Sequence, residues 1–270
     1  MMRLNDGKLA KALKEKEGWP RNLFKYVKPG KIVEFGCGSG FVLKLLSENF
    51  PDSMIIGVDK NAQRLEEVVQ KNLKNVIPVI GDITQKIFPD STFDTALFIG
   101  VLHEIFSYSG REKLRNTLRI AYDVLKEKGI LIIQDFLKPA PKLVAIKFKN
   151  KKTTEKFLRF AYDFKPRKVR FEKINRKIKI DIADALEFIS KYKIEDERRW
   201  KEEMNETHFF FTEKEYFEIL KKTGFKITNY LHLHKRKDWC KDAKKDIEFN
   251  FEKEYKEIQL VARRSRSVCH

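Results

Sequence analysis

The segment Val33-Glu34-Phe35-Gly36-Cys37-Gly38-Ser39-Gly40 constrains this chain more than any other. It continues a short apolar run, Lys31 to Phe35, that reads as a strand. It leads into Phe41 to Phe50, where Phe41, Leu45, Leu46 and Phe50 recur at helical spacing. Three glycines at alternate positions let the backbone turn tightly and approach a ligand, and the helix that follows offers unpaired N–H groups. The stretch is therefore a ligand loop between a strand and a helix. Its spacing disfavours a pyrophosphate loop: G-x-G-x-x-G would need glycine where Phe41 stands, counting from Gly36, or where Leu43 stands, counting from Gly38. Glu34 would repel a phosphate and suits a ligand with a positive end.

The rest of the first half repeats the alternation. Met54 to Val58 reads as a second strand ended by Asp59, Asn61 to Leu73 as a helix, Val76 to Ile80 and Thr95 to Ile99 as the third and fourth strands. Arg111 to Lys126 is an amphipathic helix with Gly129 placed to end it, and Ile130 to Gln134 is the fifth strand. Strand and helix in turn argue for a parallel sheet covered on both faces. The pattern breaks at Lys138-Pro139-Ala140-Pro141 and resumes near residue 207. Thr212 and Glu215 form a capping box with Phe211 and Tyr216 as its staple, Gly224 stops that helix, and strands follow at Phe225 to His234 and Tyr255 to Arg263. The expected organisation is a core part at 1–137, an inserted basic and mainly helical cap at 138–206, a returning core part at 207–263, and a frayed tail at 264–270.

Charge singles out the insertion. The chain carries 57 Lys and Arg against 39 Asp and Glu, a net +18, and Lys138 to Lys179 alone holds 16 basic residues against 3 acidic ones. Such a patch suits RNA or another polyanion, with Lys165, Arg167, Lys168 and Arg170 as its contacts and interleaved Phe rings as stacking surfaces. The alternative is a solvated face over a cap whose Phe residues form a core of their own. No apolar run is long enough to span a membrane. The charged N-terminus and three sparse cysteines (37, 240, 269) point to a reducing, cytoplasmic setting.

Strand, E-x-G-x-G-x-G, helix, strand ending in Asp59, and strand ending in Gly81-Asp82 together resemble the class I S-adenosylmethionine-dependent methyltransferases over residues ~30 to 137, with continuation at ~207 to 263. The resemblance implies a doubly wound, Rossmann-like seven-stranded sheet whose last strand is antiparallel, and S-adenosylmethionine as cofactor. It places Gly36, Cys37, Gly38 and Gly40 under the methionine part, Glu34 near its amino group, Asp59 with Lys60 at the ribose, and Asp82 with Ile83 at the adenine. Gly100, after the fourth strand, completes the cofactor set.

In the same family Gly100-Val101-Leu102-His103-Glu104 faces the transferable methyl. The D/N-P-P-Y/F element of nucleobase amino methylation is missing here. His103 and Glu104 are the catalytic candidates, as a general base or as lining. His232-x-His234 with His208 and Cys240 matches no tight ligand spacing, so no metal is expected. The acceptor is expected to be RNA or another anion. A small molecule under a closing cap is the alternative, and a non-catalytic methyltransferase-like RNA-binding protein is a rival from another class.

Overall fold

The computed structural model describes residues 23–234, 237–254 and 256–265. Five parallel strands lead: β1 (Lys31–Phe35), β2 (Met54–Asp59), β3 (Val76–Ile80), β4 (Phe93–Ile99) and β5 (Leu125–Leu137). Helices α1 (Phe41–Asn49), α2 (Ala62–Gln70) and α3 (Leu102–Val124) link them. After the cap come α7 (Glu213–Thr223), β9 (Phe225–His234) and β11 (Lys256–Arg264). The order is β3-β2-β1-β4-β5-β11-β9, with β11 antiparallel to both neighbours. The chain leaves β1 in both directions, to β2 and to β4, and open α/β sheets bind ligands at such a switch point, beyond the strands' carboxyl ends.

Buried residues pack on both faces of this sheet. Phe35, Phe98, Leu118, Ile133 and Leu260 belong to one layer, and Ile32, Leu43, Ile55, Leu97 and Ile132 to the other. Alternate residues of one strand thus serve opposite faces, which is why the strands read as continuous apolar runs. The α7 capping box forms as expected, the Phe211 and Tyr216 rings lie 5.4 Å apart, and Gly224 ends the helix in the left-handed region.

Three expectations are corrected. The long helix does not begin at Arg111 but at Leu102, with a kink at Gly110 (φ 77°, ψ 177°) that reconciles the two parts. Gly129 does not stop it: the backbone turns extended at Leu125, and Lys128 takes the positive φ of 59°. Arg264 is not frayed but closes β11, its guanidinium donating to Ser91 Oγ and to the carbonyls of Asp123 and Leu125. Residues 266–270 and the charged stretch 1–22 lie outside the described residues.

The cap holds, beside its helices, a sheet that the sequence reading did not include. Strands β6 (Leu143–Phe148), β7 (Phe171–Ile174), β8 (Lys177–Asp181) and β10 (Ile247–Glu248) form an antiparallel sheet in the order β10-β6-β8-β7. Its helices are α4 (Lys151–Asp163), α5 (Ile182–Lys191), α6 (Glu197–Glu203) and α8 (Lys237–Asp246). Lys177-Ile178-Lys179-Ile180 alternates with period two, isoleucines inward and lysines outward, and Asn175 takes the left-handed conformation that the β7–β8 turn needs. The cap draws on two excursions, since Ala243, Ile247 and Phe251, between β9 and β11, join its core with Phe157, Phe160, Phe164 and Phe188.

Candidate active site

Gly36, Gly38 and Gly40 take φ of 75°, 53° and 77°, and Gly100 takes 67°. Two of them are required by packing as well. A Cβ at Gly36 would stand 2.5 Å from Val101 Cγ2, and one at Gly40 would stand 2.7 Å from Val68. Gly38 and Gly100 differ: a Cβ at Gly38 would meet only the Arg64 guanidinium at 3.8 Å, and one at Gly100 nothing within 4 Å. These two positions open onto free space, while Gly36 locks the loop against the residue two places before His103.

Carboxylates frame that space. Asp59 is buried and holds the loop, accepting from the N–H of Gly38 at 2.8 Å and of Asn61 at 2.9 Å. Each carboxylate oxygen has a second lone pair, so hydroxyls can still be taken. Lys60 beside it is exposed. Asp82 is exposed and accepts from Thr84 N at 2.9 Å, a bond that with Lys113 and Lys60 outweighs its desolvation and holds its pKa below the usual range. Ile83 is buried.

Glu34 is fully inside, and its Oε2 has no hydrogen-bond partner. Burial, then the charge of Asp59, pushes its pKa well above the ordinary carboxylate value. A buried carboxyl left half-satisfied is costly unless a donor arrives. Cys37 is buried beside it, and desolvation with the Glu34 and Asp59 charges raises its thiol pKa, so it is no nucleophile at neutral pH.

His103 opens α3 at the carboxyl end of β4 and is buried. Its Nδ1 lies 2.8 Å from Asp135 Oδ1, and its backbone N–H donates to Asp135 Oδ2 at 3.2 Å. Desolvation works against the imidazolium, but the charge and hydrogen bond of Asp135, with Glu104 and Glu206, outweigh it and raise the pKa of His103. Burial raises the pKa of the half-buried Glu104 also. Opposite His103 stands the irregular segment between α6 and α7. Thr207 and Phe209 face the cap, giving the Thr207 hydroxyl and the Phe209 N–H to Glu187 Oε1. Glu206 accepts from Tyr108 at 2.8 Å, and His208 stacks on Phe136 at 4.4 Å and meets the His103 ring edge-on at 5.3 Å.

The sequence-based candidates separate into two groups. Glu34, the loop glycines, Asp59, Gly100, His103 and Glu104 converge on one edge of the sheet. The four basic residues do not act alike: Lys165, Lys168 and Arg170 are exposed, whereas Arg167 turns inward to Asp184 Oδ1 at 2.6 Å and Thr207 at 2.9 Å. His232 is held by Glu213 at 2.5 Å, while the side chains of His234 and Cys240 lie outside the described residues. Sequence reasoning missed Asp135, Arg64 and Glu206, and it grouped His208 with the wrong histidines. No local signal marks Asp135, which is 32 residues from its partner.

A family model described as a methyltransferase domain matches residues 8–230. The chain is 34% identical over 116 residues to a demethylmenaquinone methyltransferase of Thermotoga maritima, 43% of this chain and 48% of that protein. It is 42% identical over 45 residues to a trans-aconitate 2-methyltransferase of Rhodopseudomonas palustris, 17% of this chain and 18% of that one. The matches thus span under half the length of these curated relatives. In fold the chain is similar to an S-adenosylmethionine-dependent methyltransferase from Mesorhizobium loti (TM-score 0.58, 17% identity, 93% of this chain and 100% of that one). It is also similar to the [4+2]-cyclase SpnF (TM-score 0.57, 13% identity, 91% and 79%).

Proposed function

The chain belongs to the methyltransferase-domain family of class I S-adenosylmethionine-dependent enzymes, and from that premise we propose that it moves the cofactor's methyl group to a small-molecule acceptor arriving beside His103. The observation that carries the reading is the convergence of two unfinished sites on one sheet edge. One is the orphaned Glu34 Oε2 beside the open faces of Gly38 and Gly100. The other is the His103–Asp135 pair, tied to the loop by the contact of Gly36 with Val101.

S-adenosylmethionine supplies, when bound, an electrophilic methyl on a sulfonium. Glu34 would hold its ammonium and Arg64, next to Gly38, its carboxylate. Asp59 would take the ribose hydroxyls, and Asp82 with Ile83 the adenine. Asp135 accepts a hydrogen bond from His103 Nδ1–H, so that in the neutral ring Nε2 is the nitrogen that presents a lone pair. That lone pair, with the Glu104 carboxyl, is what this chain offers the polar end of the acceptor. Phe136 and the segment carrying His208 wall the same place and exclude water.

A small acceptor is favoured over RNA by how the basic charge is spent. Lys147 pairs with Glu248, Lys152 with Glu195, Arg159 with Glu197 and Arg167 with Asp184, each partner lying outside the basic run. Phe157, Phe160 and Phe164 are consumed by the cap core and cannot stack on bases. The relatives are named for small acceptors, demethylmenaquinone and trans-aconitate, and a structural neighbour at 13% identity holds 1,6-didemethyltoxoflavin with S-adenosylhomocysteine.

Methyl transfer from labelled S-adenosylmethionine into a metabolite extract and into total RNA, at rising salt, tests the reading. Label should enter small molecules with little salt dependence. Label confined to RNA, falling steeply with salt at about −0.7 in log–log slope per phosphate contact, would sink it.

A further inference from the structure

We infer that His103, Glu206 and His208 form a binding site for one divalent first-row transition-metal ion. One ring nitrogen of each histidine and one oxygen of Glu206 all lie within 4.8 Å of one another. Metal–nitrogen and metal–oxygen bonds of about 2.0–2.2 Å place ligand atoms roughly 3–4 Å apart, so side-chain movements of about an ångström close the set. Two imidazoles and a carboxylate are a donor set that zinc and its neighbours favour, and three protein ligands leave a position open for water or an acceptor oxygen.

The surroundings are those of a held ligand set. Metal-binding histidines characteristically give their other ring N–H to a carboxylate, which fixes tautomer and orientation. Asp135 does this for His103, accepting at Nδ1 and anchoring the same residue's backbone N–H. Tyr108 steadies Glu206 through Oε1. The backbone bearing Glu206 and His208 is pinned twice. Buried Lys191 donates to the Glu206 carbonyl at 2.6 Å, and Ser107, itself bonded to the His103 carbonyl, accepts from Thr207 N–H at 2.9 Å. Phe136 stacks flat on His208. Thr207, between the two ligands, and Phe209, after them, point to the cap, so the alternation that buries them turns Glu206 and His208 together towards His103.

Electrostatics favour a cation at this spot although the chain is strongly basic. Asp135, Glu104 and Glu206 lie about the His103 imidazole, and Glu203 Oε2 lies 3.5 Å from His208 Nε2. Two cations stand nearby. Lys191 is engaged with the carbonyls of Glu203 and Glu206 and the carboxylate of Glu187, while Arg64, next to Gly38, bears on Glu104. The ion's catalytic sense, taking the Nε2 lone pair of His103 and orienting an oxygen of the acceptor in its place, rests on the function proposed above, but its binding does not and is measured without methyl transfer.

The test titrates chelator-dialysed full-length protein with ZnCl2 by calorimetry and with CoCl2 by visible absorption. One equivalent of zinc at micromolar affinity or tighter, and d–d bands with cobalt, are expected. His208→Ala and Glu206→Gln should each weaken zinc at least 30-fold. Asp135→Asn, which keeps all three ligands, should weaken it by about 10–100-fold through misorientation of His103. His232→Ala, on the far strand, should change nothing. Each variant's affinity for S-adenosylmethionine, measured alongside, reports that the fold is intact. No stoichiometric zinc binding by the wild-type protein, or unaltered binding in both the His208 and Glu206 variants, overturns the inference. Failure of methyl transfer with zinc binding intact would instead count against the proposed function.

Discussion

A carboxyl buried in the middle of a parallel sheet with one oxygen unpaired, as in Glu34, destabilises the free protein and prepares it for a cationic ligand. Its raised pKa means that the free fold holds a proton that the unfolded chain would release. Stability from this group therefore declines as pH rises from the ordinary value of 4.5 through the native one. Binding an ammonium reverses the preference, so cofactor affinity should rise with pH over the same interval, with proton release. Calorimetry in buffers of different ionisation enthalpy should detect that release in the wild type and not in Glu34→Gln. The variant should melt higher at neutral pH yet bind S-adenosylmethionine at least tenfold more weakly; equal affinity would mean that Glu34 faces no ammonium. At this scale the sequence was legible wherever the signal was local. The loop glycines, Glu34 and Asp59 sit in one motif or at the end of one strand. Asp135, Arg64, Glu206 and the true partner of His208 were not legible, because tens of residues separate them from the groups they meet.

Elements were readable where a single period governs them. Strands β1 to β4 are short apolar runs closed by Gly or Asp, and α7 carries its own start and stop signals. The sheet inside the cap was missed because lysines alternating with isoleucines in β8 register as charge before they register as a strand. The α7 box can be tested alone. The Thr212 hydroxyl accepts from Glu215 N–H and also donates to Glu215 Oε2, whose other contact is the Thr212 N–H. Thr212→Ala should cost about 0.5–2 kcal/mol in chemical denaturation. A second element test concerns Asp94, which ties β4 to its surroundings through Lys31 N–H at 3.0 Å and Lys126 Nζ at 2.7 Å. Desolvation opposes its charge, but these bonds prevail and depress its pKa. Its contribution is therefore complete above the ordinary value of 3.8 and lost as pH falls through the lower native value. Asp94→Asn should remove about 1.5–3 kcal/mol at pH 7, the scale of charge-assisted hydrogen bonds, and the difference from wild type should shrink in acid. A pH-independent difference would assign the loss to packing instead.

The whole molecule has separate apolar cores, two on the faces of the seven-stranded sheet and one inside the cap, and the cap core is closed by a buried ionic knot. Lys191 and Glu187 are fully enclosed on α5, 3.5 Å apart, and Lys191 also donates to the carbonyls of Glu203 and Glu206. Glu187 in turn receives Thr207 and Phe209, so one pair fastens α5 to the segment that faces His103. Lys191→Met keeps the side-chain volume but strands a buried carboxylate and two carbonyls, a change on the order of 3–5 kcal/mol. Because that loss falls on the cap core and not on the central sheet, it should appear as local opening. Amide exchange should accelerate across 182–191 and 203–210 while β1, β4 and β5 keep wild-type protection. S-adenosylmethionine affinity should fall less than tenfold, since the glycine loop, Glu34 and Asp59 belong to the other cores, whereas turnover should drop with the loss of the wall opposite His103. Uniform acceleration through both sheets would mean that cap and core unfold as one unit, and that the knot secures the fold rather than the acceptor side of the site.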